Sequence, residues 1–207
     1  MKKEQDYFQD LAEIRSMMER SSKFLSLSGW AGIMAGIYAL VGSYLAYYVL
    51  DFRPEELSNP TATRILPGNF GQVVLLAVVM LILAISSAIF LSSKNAKAKG
   101  EKAWNATSKR LISSMAVPLV TGGMLILILI SKGWIGWIVP LSLIFYGLSL
   151  YSASQFTFRL LRYLGLIQIG LGLTAAYFIE YGVVLWAIGF GVFHIIYGVY
   201  MHMRYER

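Results

Sequence analysis

Residues 71–92 read GQVVLLAVVMLILAISSAIFLS, a run without one charged side chain. A helix rises about 1.5 Å per residue, so a run of this length covers the roughly 30 Å of hydrocarbon in a bilayer. A helix that is apolar on every side belongs in a large core or in lipid. Working outward, the run at 28–50 precedes it, and runs at 111–131, 133–154, 160–180 and 182–203 follow. Charged, proline or glycine residues part them: Asp51, Arg53 and Pro54; the Lys-rich stretch 93–110; Lys132 and Gly133; Arg159 and Arg162; Tyr181 and Gly182. The pattern predicts an all-α integral membrane protein, a bundle of six transmembrane helices spanning 28–203. Only 14% of the chain is charged, against roughly 25% in soluble domains.

Lys and Arg alternate in density along the chain. Residues 1–27 hold Lys2, Lys3, Arg15, Arg20 and Lys23; the second connection holds Lys94, Lys97, Lys99, Lys102, Lys109 and Arg110; the fourth holds Arg159 and Arg162; the tail 204–207 holds Arg204 and Arg207. The remaining connections hold Arg53, Arg64 and Lys132, so fifteen bases stand against three. The positive-inside rule then puts both termini in the cytoplasm, and an odd helix count would break the alternation. The net charge of +7 is accounted for by topology, and no nucleic-acid partner is expected. A cleavable signal peptide is not expected either, because the first apolar run starts late and is too long for a signal h-region. The tight turns at Lys132-Gly133 and Tyr181-Gly182 predict hairpins of helices three with four and five with six. The segment 51–70, with Pro54, Pro60 and Pro67, is expected outside without a regular helix. The segment 93–110 suits helices that continue past the membrane, with Trp104 near the interface.

The leader, 1–27, places Tyr7, Leu11, Ile14, Met18 and Leu25 at helical spacing. Its five acids balance its five bases, whereas a helix made to lie on anionic lipid is strongly basic. Leu11, Ile14 and Met18 are therefore the candidate protein-binding face of a cytoplasmic amphipathic helix, against its own bundle, a second copy or a soluble partner. The string Leu11-Ala-Glu-Ile-Arg-Ser-Met-Met-Glu-Arg-Ser-Ser-Lys-Phe-Leu-Ser-Leu-Ser-Gly29 resembles the leader of a group of uncharacterised bacterial six-helix inner-membrane proteins. The resemblance covers the leader and the first helix. It implies a bacterial cytoplasmic membrane and the same helix count, and it carries over no activity and no site residue.

Catalytic signatures are missing. Residues 97–102 contain Gly100 but neither the second glycine nor the Lys-Ser/Thr pair of a phosphate-binding loop, and no His-Glu-x-x-His occurs. With no cysteine in the chain, disulfides, thiolate metal sites and cysteine nucleophiles are excluded. The two histidines, His194 and His202, lie about 12 Å apart along one helix and cannot sandwich a haem. No cofactor and no metal are expected, and His202 reads as a residue facing headgroups.

Polar side chains at membrane depth are costly and tend to face the bundle interior. Counted from the cytoplasmic helix ends, Gln168, Tyr146, His194, Thr121 and Tyr38 share one layer within about 3 Å. Gln168 and His194, on antiparallel neighbours, are expected to hydrogen-bond directly or through one water. The layer reads either as an interhelical clamp, contributing about 0.6 kcal/mol per bond, or as a ligand or proton site. Gly32-x-x-x-Gly36 suits close helix approach, within the bundle or between copies. Pro118 and Pro140, within helices three and four, each free a backbone carbonyl and can kink the helix. With a shift of 51, Phe145-Tyr146-Gly147-Leu148 falls on Ile196-Tyr197-Gly198-Val199, a hint of a repeated hairpin.

The functional expectation is a non-enzymatic regulatory or sensory membrane protein that binds a lipid or small apolar ligand in the bundle and a cytoplasmic partner through the leader. A transporter or channel for a small solute is the first alternative. A membrane-embedded enzyme acting on lipid is the second, and it lacks paired carboxylates or a His-carboxylate motif in the apolar runs.

Overall fold

The computed structural model describes residues 27–53, 68–100 and 104–206, which are helical apart from short turns and contain no strand. Six helices are long and apolar enough to cross a membrane: α1 (Gly29–Val49), α2 (Phe70–Ala98), α3 (Ala106–Ser131), α4 (Ile135–Ala153), α5 (Leu160–Tyr177) and α6 (Ile179–Tyr205). Residues 1–26 of the leader, including Leu11, Ile14 and Met18, lie outside the described residues, as does most of the first connection.

Local chemistry sets the ends. α3 starts with a capping box in which the Asn105 side chain accepts from the Ser108 amide at 2.8 Å and the Ser108 hydroxyl accepts from the Asn105 amide at 2.9 Å. It ends in a Schellman motif: the Gly133 and Trp134 amides donate to the Ile130 and Leu129 carbonyls, each at 2.9 Å. Gly133 sits at φ 78, a conformation glycine adopts without a Cβ penalty. Pro118 lies inside α3. Pro140 lies near the start of α4. It falls in the first α-helical turn beginning at Ile138, where the missing N–H has no carbonyl to serve.

Packing follows glycine rather than chain proximity. The short turn joins α5 to α6, yet α5 packs most extensively on α4, and α6 on α1. A Cβ placed on Gly147 of α4 would lie 2.6 Å from the Gly165 carbonyl oxygen of α5, and one on Gly165 would lie 2.7 Å from the Gly147 oxygen. A Cβ on Gly198 of α6 would likewise lie 2.5 Å from the Gly29 oxygen of α1, and one on Gly29 would strike the Gly198 oxygen. About two turns on, Gly172 faces the Pro140 carbonyl and Ile144, while Gly36 faces the Gly191 carbonyl and Ile195. Every α4 residue in the first seam maps onto α6 in the second by a shift of 51, and every α5 residue maps onto α1 by a shift of 136. The two seams are therefore copies of one interface. The short shared tetrapeptide marks a repeat, and Gly32 and Gly36 are spent on packing α1 against α6 of the same chain.

The core gathers where α3 to α6 meet, around Leu111, Leu150, Leu161, Leu164, Tyr197 and Met201. Ser149, fully buried on α4, donates to the Met115 carbonyl of α3 at 3.1 Å. α2 buries only Phe70 and Ala96, near its two ends.

Candidate functional site

The site is built where α6 leaves regular α geometry. Residues Ala187–Phe193 form a π-helical segment containing Gly189 and Gly191. A π-turn inserts an extra residue into the helix and spoils the regular pairing of amides with carbonyls. The Gly189 carbonyl here accepts two side chains: Gln168 Nε2 of α5 donates to it at 2.8 Å, and His194 Nδ1 at 3.0 Å. A Cβ at Gly189 would lie 2.5 Å from Gln168 Oε1, so a larger residue there would push the Gln168 amide aside.

These bonds fix the tautomer. With its proton on Nδ1, the imidazole presents Nε2 as an acceptor, and the Tyr146 hydroxyl of α4 donates to it at 2.9 Å. Gln168 Nε2 stands 3.4 Å from His194 Nδ1; both are donors converging on the same carbonyl oxygen. Phe190 stacks on the His194 ring at 10° and on the Tyr146 ring at 38°, sealing the cluster. Gln168 is 0% exposed and His194 5%, so both are shielded from bulk solvent.

Among the described residues, two buried side-chain polar atoms have no hydrogen-bond partner, Gln168 Oε1 and the Tyr197 hydroxyl. A buried polar group in that state costs about 1–3 kcal/mol, the magnitude to be explained at Gln168. The 51-residue shift places Tyr197 at the position of Tyr146 and Leu143 at that of His194, and the 136-residue shift places Gly32 at that of Gln168. Tyr146 is thus kept as Tyr197, Gln168 is replaced by Gly32, and His194 stands on α6 where α4 has Leu143, so the cluster draws one helix from the second seam and two from the first.

Of the five residues assigned to one layer, the structure joins Tyr146, Gln168 and His194. Thr121 lies on the exposed face of α3, and its neighbour Gly122 is the residue that packs against Phe145. Tyr38 is half-buried on α1 and makes no hydrogen bond to the cluster. Depth along an axis is shared by all five, but the side of the helix is not.

A second polar site, at the end where Leu27 and Glu206 lie, was not anticipated. Glu206 Oε1 accepts from the Gly29 amide at 2.8 Å and from Asn95 Nδ2 of α2 at 3.3 Å, while Oε2 accepts from His202 Nδ1 at 2.8 Å. Ser28 makes no side-chain cap, so a carboxylate from the far end of the chain caps α1 and meets the positive end of its dipole. Asn95 Nδ2 also donates to the Leu27 carbonyl at 3.2 Å, and the Trp30 ring meets His202 edge-on at 5.4 Å. His202 is held inside this knot rather than turned to headgroups. The legible signal was the i,i+4 spacing of His202 and Glu206.

Among the described residues, no group of three His, Asp or Glu side chains converges. No protein-family model, curated protein or solved structure matches the chain.

Proposed function

We propose that this chain is a multi-pass protein of the bacterial cytoplasmic membrane, with both termini in the cytoplasm, that senses a small apolar ligand bearing a hydrogen-bond donor and passes the signal to its leader. The membrane placement is supported by the six apolar helices, and the orientation by the fifteen-to-three split of Lys and Arg.

The observation that carries the sensing reading is Gln168 Oε1, a buried acceptor with no partner, beside a π-helical segment. A ligand donor reaching that oxygen would relieve its cost. Returning Ala187–Phe193 to α geometry would turn the rest of α6 by about 100° and shift it by about 1.5 Å. His194 would leave Tyr146, and Glu206 would leave the Gly29 amide from which the leader emerges. Coupling therefore runs through a defined two-state element. The leader's Leu11, Ile14 and Met18 face would then meet or release a cytoplasmic protein. The work is binding and reorientation, without covalent chemistry.

Hydrogen exchange on the full-length protein in nanodiscs, with dodecanol or oleamide added, tests this. The reading expects at least one probe to change exchange across 187–206 in the parent chain but not in Gln168→Met. Unchanged exchange with both probes, or an equal change in Gln168→Met, contradicts it.

A further inference from the structure

The hairpins α1–α2, α3–α4 and α5–α6 follow one another, and the two glycine seams each join the second helix of one hairpin to the first helix of the next. The remaining pair of this kind is α2 and α3, which among the described residues meet only near the cluster of Phe70, Val73 and Ile130 at one end. α1 is the helix on which α2 packs, and α4 the one on which α3 packs; between α2 and α3 there is no packing of similar extent. The reason lies in the sequence. α2 has no glycine after Gly71, Gly122 of α3 is occupied by Phe145, and a side chain at Gly123 would meet open space. Leu75, Ile82 and Phe90 on α2 and Val120, Met124 and Leu127 on α3 remain exposed.

The same seam is basic at one end. Lys94, Lys97 and Lys99 close α2, and Lys109 and Arg110 open α3, all exposed. At about 100° per residue, Lys109 stands on the stripe of Val120 and Leu127, and Arg110 on that of Val117 and Ile128. The Lys109 ammonium lies 5.7 Å over the Trp104 ring, and an exposed Trp at this level suits the headgroup region.

We infer that the open α2·α3 seam is a binding site for an anionic phospholipid, with acyl chains along the exposed apolar stripes and the phosphate among Lys94, Lys97, Lys109 and Arg110. The positive-inside bias accounts for bases at this end in general; six of the fifteen fall on the one connection that joins α2 to α3, two helices that do not pack extensively on each other. Arg159 and Arg162 provide the internal comparison. They flank the start of α5, whose seam with α4 is closed, and Arg162 is turned to the Tyr151 hydroxyl at 3.2 Å. A second copy laid on the seam would set like charges against each other, whereas a lipid phosphate complements them. The inference rests on the membrane placement proposed above but not on the orientation, because its test is run in micelles.

Native mass spectrometry of the full-length protein, with phosphatidylglycerol or phosphatidylcholine added, reads bound lipid and oligomeric state together. The site predicts several-fold greater retention of phosphatidylglycerol. Lys97→Gln/Lys109→Gln/Arg110→Gln should bring the two lipids level, and Arg159→Gln/Arg162→Gln should leave the preference intact. Gly123→Trp, which fills the seam and spares its bases, should also reduce retention. Equal retention of both lipids by the parent chain, equal loss in both sets of charge variants, or a lipid-free dimer would overturn the inference.

Discussion

The Gly29 amide donates to the Glu206 carboxylate at 2.8 Å across 177 positions of sequence, so the start of the first helix is capped by the end of the last. The contact ties the point where the leader leaves the bundle to the end of the helix that carries the π-segment. Removing a capping oxygen typically costs about 1 kcal/mol. Glu206→Ala should therefore lower the midpoint of thermal unfolding and speed amide exchange at Gly29 and Trp30, while exchange at the α4·α5 seam stays unchanged. Unaltered exchange at Gly29 would show that the cap contributes nothing.

The repeated seams predict a sharp difference among glycines. Gly147→Leu and Gly198→Leu drive a side chain into a facing backbone carbonyl, and such overpacking costs about 1–3 kcal/mol, or more where backbone must move. Gly123→Leu meets open space and should be tolerated. Unfolding midpoints in detergent would check the ranking; equal effects at all three positions would contradict the packing.

The Tyr146–His194 bond should behave as a coupled pair. Tyr146→Phe leaves His194 Nε2 without its donor, and His194→Leu leaves the tyrosine hydroxyl without its acceptor. A double-mutant cycle on unfolding free energy should return a coupling of about 0.6–1.7 kcal/mol. Strict additivity would mean that the bond carries no energy.

How far the sequence led is clear from these same residues. Helix positions were legible because apolar runs such as 71–92 leave no other reading. That Gln168 and His194 come together was legible from depth, counted on two helices joined by a short turn; that they meet as two donors on the Gly189 carbonyl instead of bonding to each other was not. Thr121 was not, because depth says nothing of the face a residue occupies. Partner choice was also hidden: Gly29 and Gly36 have the same spacing as Gly165 and Gly172, but only the contacts reveal that both pairs meet equivalent residues. Glu206 as a cap could not be read at all, since its partner amide has no side-chain signature.

The leader, outside the described residues, keeps its expectation as an experiment. A charge-balanced helix with Leu11, Ile14 and Met18 on one face should show slowed exchange over residues 7–20 in the full-length protein. Its Leu11→Ser/Ile14→Ser/Met18→Ser form should exchange freely. Rapid exchange throughout the parent segment, with and without candidate partners, would remove the protein-binding role.

The reading as a whole depends on the chain crossing the membrane with alternate connections on opposite sides. The absence of cysteine allows this to be measured directly, by placing a single cysteine at Asn59 or at Lys97 and labelling intact cells with a membrane-impermeant maleimide. The account predicts that Asn59→Cys is labelled from outside and that Lys97→Cys is labelled only after the membrane is breached. Labelling of both from the same side would contradict the six-span topology, and with it the cytoplasmic placement of the leader and of Glu206.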